Sequence, residues 1–317
     1  MNRREFLQTA AALAGAAGLA RWSEALGTAK PAAKSRVVEV TNPAWRDAEG
    51  RPREEVIREM IDEAVRRLLG TDEARQAWQQ LFRPGDKVGL KFNNVTGNYG
   101  GYDPFIARAV TTSLVKAGLK PENIYVVEIR RARVTNPWTD FSPGAEAYEV
   151  GGPVPTRLTN FVLRLDAIIN LPNLKDHQRV GVTGALKNIS HSRSVITTPP
   201  HRYHEPVIRE VICRINSLPQ LRKRLRLHLM NGLFGVYERG PGVHPAYLFY
   251  HHSFFASRDP VAMDWVELEI VEGMRKAKGL PSLWTLSRHP GFLQRAGELG
   301  LGVGSLDRVE WVRVRAS

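Results

Sequence analysis

The stretch from Ile168 to Ser192 changes chemical character partway along. Apolar residues run to Leu171. Lys175, Asp176 and His177 follow, then the turn Gly181-Val182-Thr183-Gly184, then Lys187, Asn188 and His191. Ammonium groups hold carboxylate or phosphate oxygens, amides orient them, and imidazole has the side-chain pKa nearest neutrality. These residue types point to an anion site. Lys175 and Lys187 would hold charge, Asn188 would orient the ligand, and His177 would act as general acid or base.

Two further polar clusters sit where apolar runs end. Lys91, Asn93 and Asn94 close the run beginning at Val88, and Asn231, followed by Gly232, ends the strand "RLRLHLMN". Ligands of open α/β sheets lie beyond the carboxyl ends of the strands, so three such tips could share one mouth. The short helical segment after Gly184 would add backbone N–H groups and a favourable dipole. Asn93 joins Asn188 as an orienting amide, and Lys91 joins the two lysines as ligand-binding.

The elements that must position these residues read clearly. Val56, Ile57, Met60, Ile61, Ala64, Val65, Leu68 and Leu69 recur at helical spacing, and Gly70 stops them. The order strand (to Asn94), glycine loop (Gly97, Gly100, Gly101), helix and strand (Asn123–Arg130) is a βαβ unit. Asp103 with Pro104, and Asp259 with Pro260, both look like capped helix starts. Arg131–Thr159 is long and rich in Gly and Pro, the pattern of a functional loop or an insertion, and "HSRSVITTPPHRYHEP" is a second loop. "RVEWVRVR" closes the chain as a strand. The expected class is α/β, a mostly parallel sheet flanked by helices in Rossmann-like layers. Residues 1–29 form a leader and 30–317 a single domain.

The 317 residues include 43% hydrophobic side chains and a net charge of +13. Three arginines and two glutamates fall in the first 29 residues, which leaves +12 for the body. Such a field concentrates anions, whether small molecules or polymers. Aromatic residues do not interleave with the basic ones, so a nucleic-acid platform is not expected. In the leader, Arg3–Arg4 precede the small apolar run Ala10–Ala20, which is too short to span a bilayer. Paired arginines followed by Glu5, Phe6 and Leu7 resemble a twin-arginine (Tat) signal peptide. The export machinery is then a partner, the location periplasmic or extracellular, and the mature chain has no transmembrane helix. An ordinary secretory signal with a chance arginine pair is the alternative, and cleavage sites between Ala25 and Lys30 compete.

Cys213 is the single cysteine, which excludes an internal disulfide, an iron–sulfur cluster and a thiolate zinc site. Any other cofactor is left open. His201 and His204 are three apart, His251 and His252 are adjacent, and His191 and His244 lie near them, but no His-Glu-x-x-His motif appears and no metal ligand is assigned. Neither a nucleophile elbow nor a phosphate-loop motif is present.

Five pieces together carry a resemblance: "GDKVGLKFNN", "AVTTSLVKAGLKPENIYVVE", "LDAIINLPNLKDHQRVGVTGALKNIS", "LHLMNGLFG" with "GP", and "SRDPVAMD". They resemble the bacterial and archaeal family called domain of unknown function 362, over roughly Pro84 to Met274. The resemblance implies an α/β fold and a polar cleft containing Lys91, Asn93, Lys175, His177, Lys187, Asn188 and Asp259. It implies no activity. Many relatives carry Asp where this chain has Asn231, and some carry ferredoxin-like cysteine motifs that this chain lacks. The expectation is an exported protein that acts on or binds an anionic ligand. A non-catalytic binding or assembly protein, or a metal binder using the histidine-rich loops, is the alternative.

Overall fold

The amphipathic run after Arg53 forms helix α1 (Glu54–Leu69), and its apolar stripe from Val56 to Val65 is buried. Gly70 ends it in the left-handed conformation, φ 67°, with its N–H on the Arg66 carbonyl. The computed structural model describes residues 34–93, 102–129, 140–151, 155–197 and 207–316. The leader with Arg3–Arg4, the loop containing Asn94, Gly97, Gly100 and Gly101, and His201 and His204 lie outside the described residues.

The strands are β1 (Ser35–Thr41), β2 (Val88–Lys91), β3 (Ile124–Val127), β4 (Ala167–Asn170), β5 (Asn173–His177), β6 (Gly181–Val182), β7 (Leu225–Val236), β8 (Leu248–Ser257) and β9 (Val309–Arg315). Beyond α1, the helices are α2 (Ala74–Leu81), α3 (Asp103–Lys116), α4 (Asn160–Arg164), α5 (Gly184–Ser190), α6 (Val207–Ser217), α7 (Pro219–Arg222), α8 (Pro260–Ala277) and α9 (Phe292–Glu298). The sheet runs β3-β2-β4-β7-β8-β1-β9, with β5 paired to β7 and to β6. Pairings β2–β3, β2–β4, β4–β7, β5–β7 and β1–β9 are parallel; those of β8 with β1 and β7, and of β5 with β6, are antiparallel. The α/β class with a mostly parallel sheet is therefore observed.

Helices α1, α2 and α3 share one buried core with Val38, Val40, Val88, Leu90, Ile169, Leu227, Leu229, Phe254 and Ala256 of the sheet. Helix α8 packs on β1, β5, β7 and β8 and on α5, while α6 packs on α5 and α9. No residue of α8 belongs to the first core, so these helices form a second layer.

Two local expectations fail. Asn231 and Gly232 are not at a strand tip, because β7 continues to Val236. Gly232 and Gly235 mark close approach inside the sheet: a Cβ there would strike the Phe255 and Phe249 rings of β8. Asp103 does not cap α3. Tyr102 holds that position, no side chain caps the helix, and Asp103 is its first helical residue. Asp259 does cap α8, accepting from the Val261 and Ala262 N–H groups at 2.8 and 2.9 Å.

The strand order creates the place for a ligand. From β2 the chain crosses through α3 to β3 on one side, then returns to β4 on the other. Ligands of open α/β sheets bind outside the carboxyl ends of strands at such a switch point. Lys91, the last residue of β2, lies beside Asn170, the last residue of β4.

Candidate functional site

The β4 strand breaks at Leu171–Pro172, and β5 resumes the same course beside β7. All five residues of β5 are buried. Its period-two alternation puts Asn173, Lys175 and His177 on one side, and Leu174 and Asp176 on the other. Asp176 is consumed structurally: it accepts from the Gly240 N–H at 2.6 Å and pairs with Arg288 at 2.5 Å. Arg288 also pairs with Glu238.

Helix α5 supplies Lys187 and Asn188. Every residue of it is buried, which is unusual for a lysine and makes the partners of each polar atom decisive. The Asn188 Oδ1 accepts from Lys91 Nζ at 2.7 Å, and its Nδ2 donates to Asn170 Oδ1 at 2.7 Å. Asn170 Nδ2 in turn meets Ala185 O and His228 Nδ1. Burial drives His228 down to about 3, so this imidazole is neutral and the chain of amides ends in an uncharged ring.

Lys91 also pairs with Glu128 at 3.1 Å. Glu128 stands just after β3 with φ 61° and accepts from the Ser192 hydroxyl and from the N–H and hydroxyl of Ser194. Burial works to raise its carboxyl, but Lys91 and these donors hold it below the usual range. Lys91 is itself lowered by burial, against the pull of Glu128.

Lys175 Nζ donates to Asn93 Oδ1 at 3.3 Å and to the Pro241 carbonyl at 3.2 Å. Burial first, and the neighbouring Lys91 next among the lowering influences, bring its ammonium down to about 7. Lys187 differs from both. Among the described residues its Nζ has no hydrogen bond and no ion pair, although the residue is only 8% exposed. Burial, then Lys175, Lys91 and Arg179, lower it to about 7 as well.

The structure thus brings Lys91, Asn93, Lys175, His177, Lys187 and Asn188 together. The role read for His177 needs correction. Burial and the four cations Lys187, Lys175, Arg179 and Arg288 drive it to about 2. Its Nδ1 accepts from the Arg179 N–H at 3.1 Å, which puts the ring proton on Nε2. It is a neutral hydrogen-bond donor and not a resting general base.

Three other expectations are relocated. The N-terminus of α5 is not open to a ligand, because Asp264 of α8 fills it, accepting from Ala185 and, at 3.1 Å, from the Leu186 N–H. Asn231 commits its whole amide, donating to Asn173 Oδ1 at 3.0 Å and accepting from the Leu233 N–H at 3.1 Å. It braces β5 on β7. Asp259 is spent on its cap, on the Ser35 hydroxyl at 2.6 Å and on the Val303 N–H at 2.9 Å, at the start of β1 and away from the lysines.

Four acids were not assigned to the site from the sequence. Glu128 had a signal, since a carboxylate directly follows an apolar strand. Asp103 read as a cap, yet it has no hydrogen-bond partner among the described residues, and burial lifts it to about 6 while Lys175 pulls the other way. Asp264 and Glu267, one turn apart on α8, are both raised, first by burial and then by a neighbouring carboxylate, Asp259 beside Asp264 and Asp264 beside Glu267. Glu267 accepts from the Lys175 backbone N–H at 2.9 Å, and its second oxygen is buried without a partner among the described residues. Only burial distinguishes these two, and burial is not written in the sequence.

Among the described residues, His251, His252 and His244 each have a different partner. His251 pairs with Glu39 at 2.8 Å, His252 accepts from the Trp45 indole at 3.0 Å, and His244 caps a single turn. Among the described residues no three His, Cys, Asp or Glu side chains converge as a metal requires. The Cys213 thiol is buried, pushed up to about 12 by burial, and donates to the Phe292 carbonyl, so it is inert. Among the described residues no helix is long and apolar enough to cross a membrane.

A family profile described as "Domain of unknown function (DUF362)" matches residues 97–269, more than half of the chain. The "Thylakoid-associated protein sll1697" of Synechocystis sp. (strain ATCC 27184 / PCC 6803 / Kazusa) is 30% identical over 126 residues. That alignment covers 34% of this chain and 39% of the relative, well short of the relative's full length. No solved structure matches. The matched span holds α3, β3, β4, β5, α5, β7, β8 and more than half of α8, and with them Lys175, His177, Lys187 and Asn188. The chain belongs to the family Domain of unknown function (DUF362).

Proposed function

We propose that this chain is an exported protein whose Lys91–Lys175–Lys187 cluster binds a small anion at the β2/β4 switch point. The observation that carries the reading is Lys187, a buried lysine without an acceptor among the described residues, facing two other buried lysines. An unpaired buried charge is costly, and an anion that enters would relieve it. Lys91 keeps Glu128 as its own counter-ion, so the charge open to a ligand comes from Lys175 and Lys187. His177 offers a neutral Nε2–H, and Asn93 holds Lys175 in place. The +12 body would raise the local anion concentration outside.

Titration calorimetry with inorganic phosphate, pyruvate and citrate tests this. At least one should bind, and Lys187→Met should weaken it by about tenfold or more, the loss of one charge-assisted contact. Absence of binding by all three, or equal binding by the variant, would overturn it. Export rests on Arg3–Arg4 and the apolar run after them. A reporter fused to the leader should reach the periplasm and should stay in the cytoplasm with Arg3→Lys and Arg4→Lys together; unchanged export would refute the twin-arginine reading.

A further inference from the structure

We propose that the Lys187 ε-amine is a nucleophile that forms an imine with the carbonyl carbon of a small oxo-acid whose carboxylate pairs with Lys175. This rests on the anion-binding reading and adds a reaction and a substrate class to it.

The three lysines have different surroundings, and the difference assigns their roles. Lys91 is held charged by the Glu128 carboxylate and the Asn188 carbonyl oxygen. Lys175 has two acceptors, Asn93 Oδ1 and the Pro241 carbonyl, which fix two of its three N–H bonds and favour the ammonium form. Lys187 has neither a carboxylate nor a carbonyl among the described residues. The groups that act on it, Lys175 of β5, Lys91 of β2 and Arg179 of the β5–β6 turn, are all cationic, and it acts in turn on His177 and His191. When the cluster releases a proton, Lys187 is the member with least to hold it. A neutral amine beside a fixed cation is the arrangement that makes lysine a nucleophile toward carbonyls. Binding of a plain anion would need no such division between two neighbouring lysines. An oxo-acid uses both: its carboxylate meets the cation and its carbonyl meets the amine.

The step balances without redox chemistry. The Lys187 nitrogen attacks the carbonyl carbon, a C–N bond forms, and one proton passes from nitrogen to the former carbonyl oxygen. That oxygen takes a second proton from the Lys175 ammonium and leaves as water, and the C–O bond breaks. The product is a protonated imine on Lys187 beside a neutral Lys175. Water reverses the sequence.

The test is reductive trapping of the full chain with pyruvate and sodium cyanoborohydride at pH 7, read by intact mass and peptide mapping. One carboxyethyl group should appear, on Lys187. Its rate should exceed that of exposed lysines such as Lys116, Lys120 and Lys278 by about a hundredfold or more, because a lysine titrating near 7 is neutral about a thousandfold more often at that pH than one at 10.5. Phosphate should suppress the label, acetone (a carbonyl without a carboxylate) should label Lys187 far more slowly, and Lys187→Arg should lose it. The wild-type map stands even if that variant misfolds. Label spread over exposed lysines, or none on Lys187, overturns the inference. Phosphate binding measured by calorimetry without labelling would leave the anion reading intact and remove only the imine; neither binding nor labelling would remove both.

Discussion

Replacing Lys187 by methionine should make the protein more stable near neutral pH and no more stable in strong base. Methionine is flexible and apolar, and it can follow the path of the lysine stem. In the ligand-free protein the Lys187 ammonium is buried with no acceptor among the described residues and repelled by Lys175, Lys91 and Arg179. Its pKa falls from 10.5 in the unfolded chain to about 7 in the fold. Between those values the unfolded state binds more protons, so wild-type stability from this group rises with pH. At pH 6 the lysine is charged in both states and the whole penalty is present. Above 10.5 it is neutral in both and the penalty is gone. At about 1.4 kcal/mol per pH unit the full effect is about 5 kcal/mol, an upper value because the repulsion is shared with Lys175, and half of it is a reasonable expectation. Urea melts of wild type and Lys187→Met at pH 6.5, 8 and 9.5 measure it, since the difference between the two chains cancels groups elsewhere. The variant should gain about 2–4 kcal/mol at pH 6.5, and the gain should shrink steadily toward pH 9.5. A variant less stable than wild type at pH 6.5, or a gain independent of pH, would show that Lys187 is paired in solution and would refute the argument for a ligand.

Asn188→Leu should cost about 3 kcal/mol in chemical denaturation, because Lys91 and Asn170 each lose a buried partner; a cost below 1 kcal/mol would mean water replaces the amide. Asp259→Ala should lose about 1–2 kcal/mol by the same assay while anion binding in calorimetry is unchanged, and a parallel loss of binding would return Asp259 to the site. Gly184→Ala should destabilise by at least about 2 kcal/mol in thermal melts, since φ is 53° and the new methyl would meet the Asp264 carboxyl; a neutral effect would contradict this packing. Asp103→Asn should remove a proton uptake near pH 6, visible as flattened stability between pH 4 and 6, where a raised carboxyl makes wild type lose stability as pH rises; an unchanged profile would place Asp103 in water.

The element types were legible because each is a local matter. Helical spacing from Val56 to Leu69, the Asp259–Pro260 start and the strand before Lys91 depend on neighbours within one or two turns. The lysines, His177, Asn93 and Asn188 could be nominated because polar residues directly follow apolar strands in a fold whose strands run parallel. The end of β7 could not be read, since Gly232 and Gly235 look like a loop until the facing rings of Phe255 and Phe249 are known.

By itself, then, the sequence determined the class of fold, the set of cations and amides at the strand ends and, through its single cysteine, the exclusion of an internal disulfide. Tertiary structure decided which of those charges already had partners. It gave Glu128 to Lys91, Asp264 to the start of α5 and Asp259 to its own helix, and it left Lys187 with none among the described residues. Desolvation is the reason: a charge is costly or cheap according to how much water and how many counter-charges the folded chain leaves around it, and both come from segments far apart along the polypeptide.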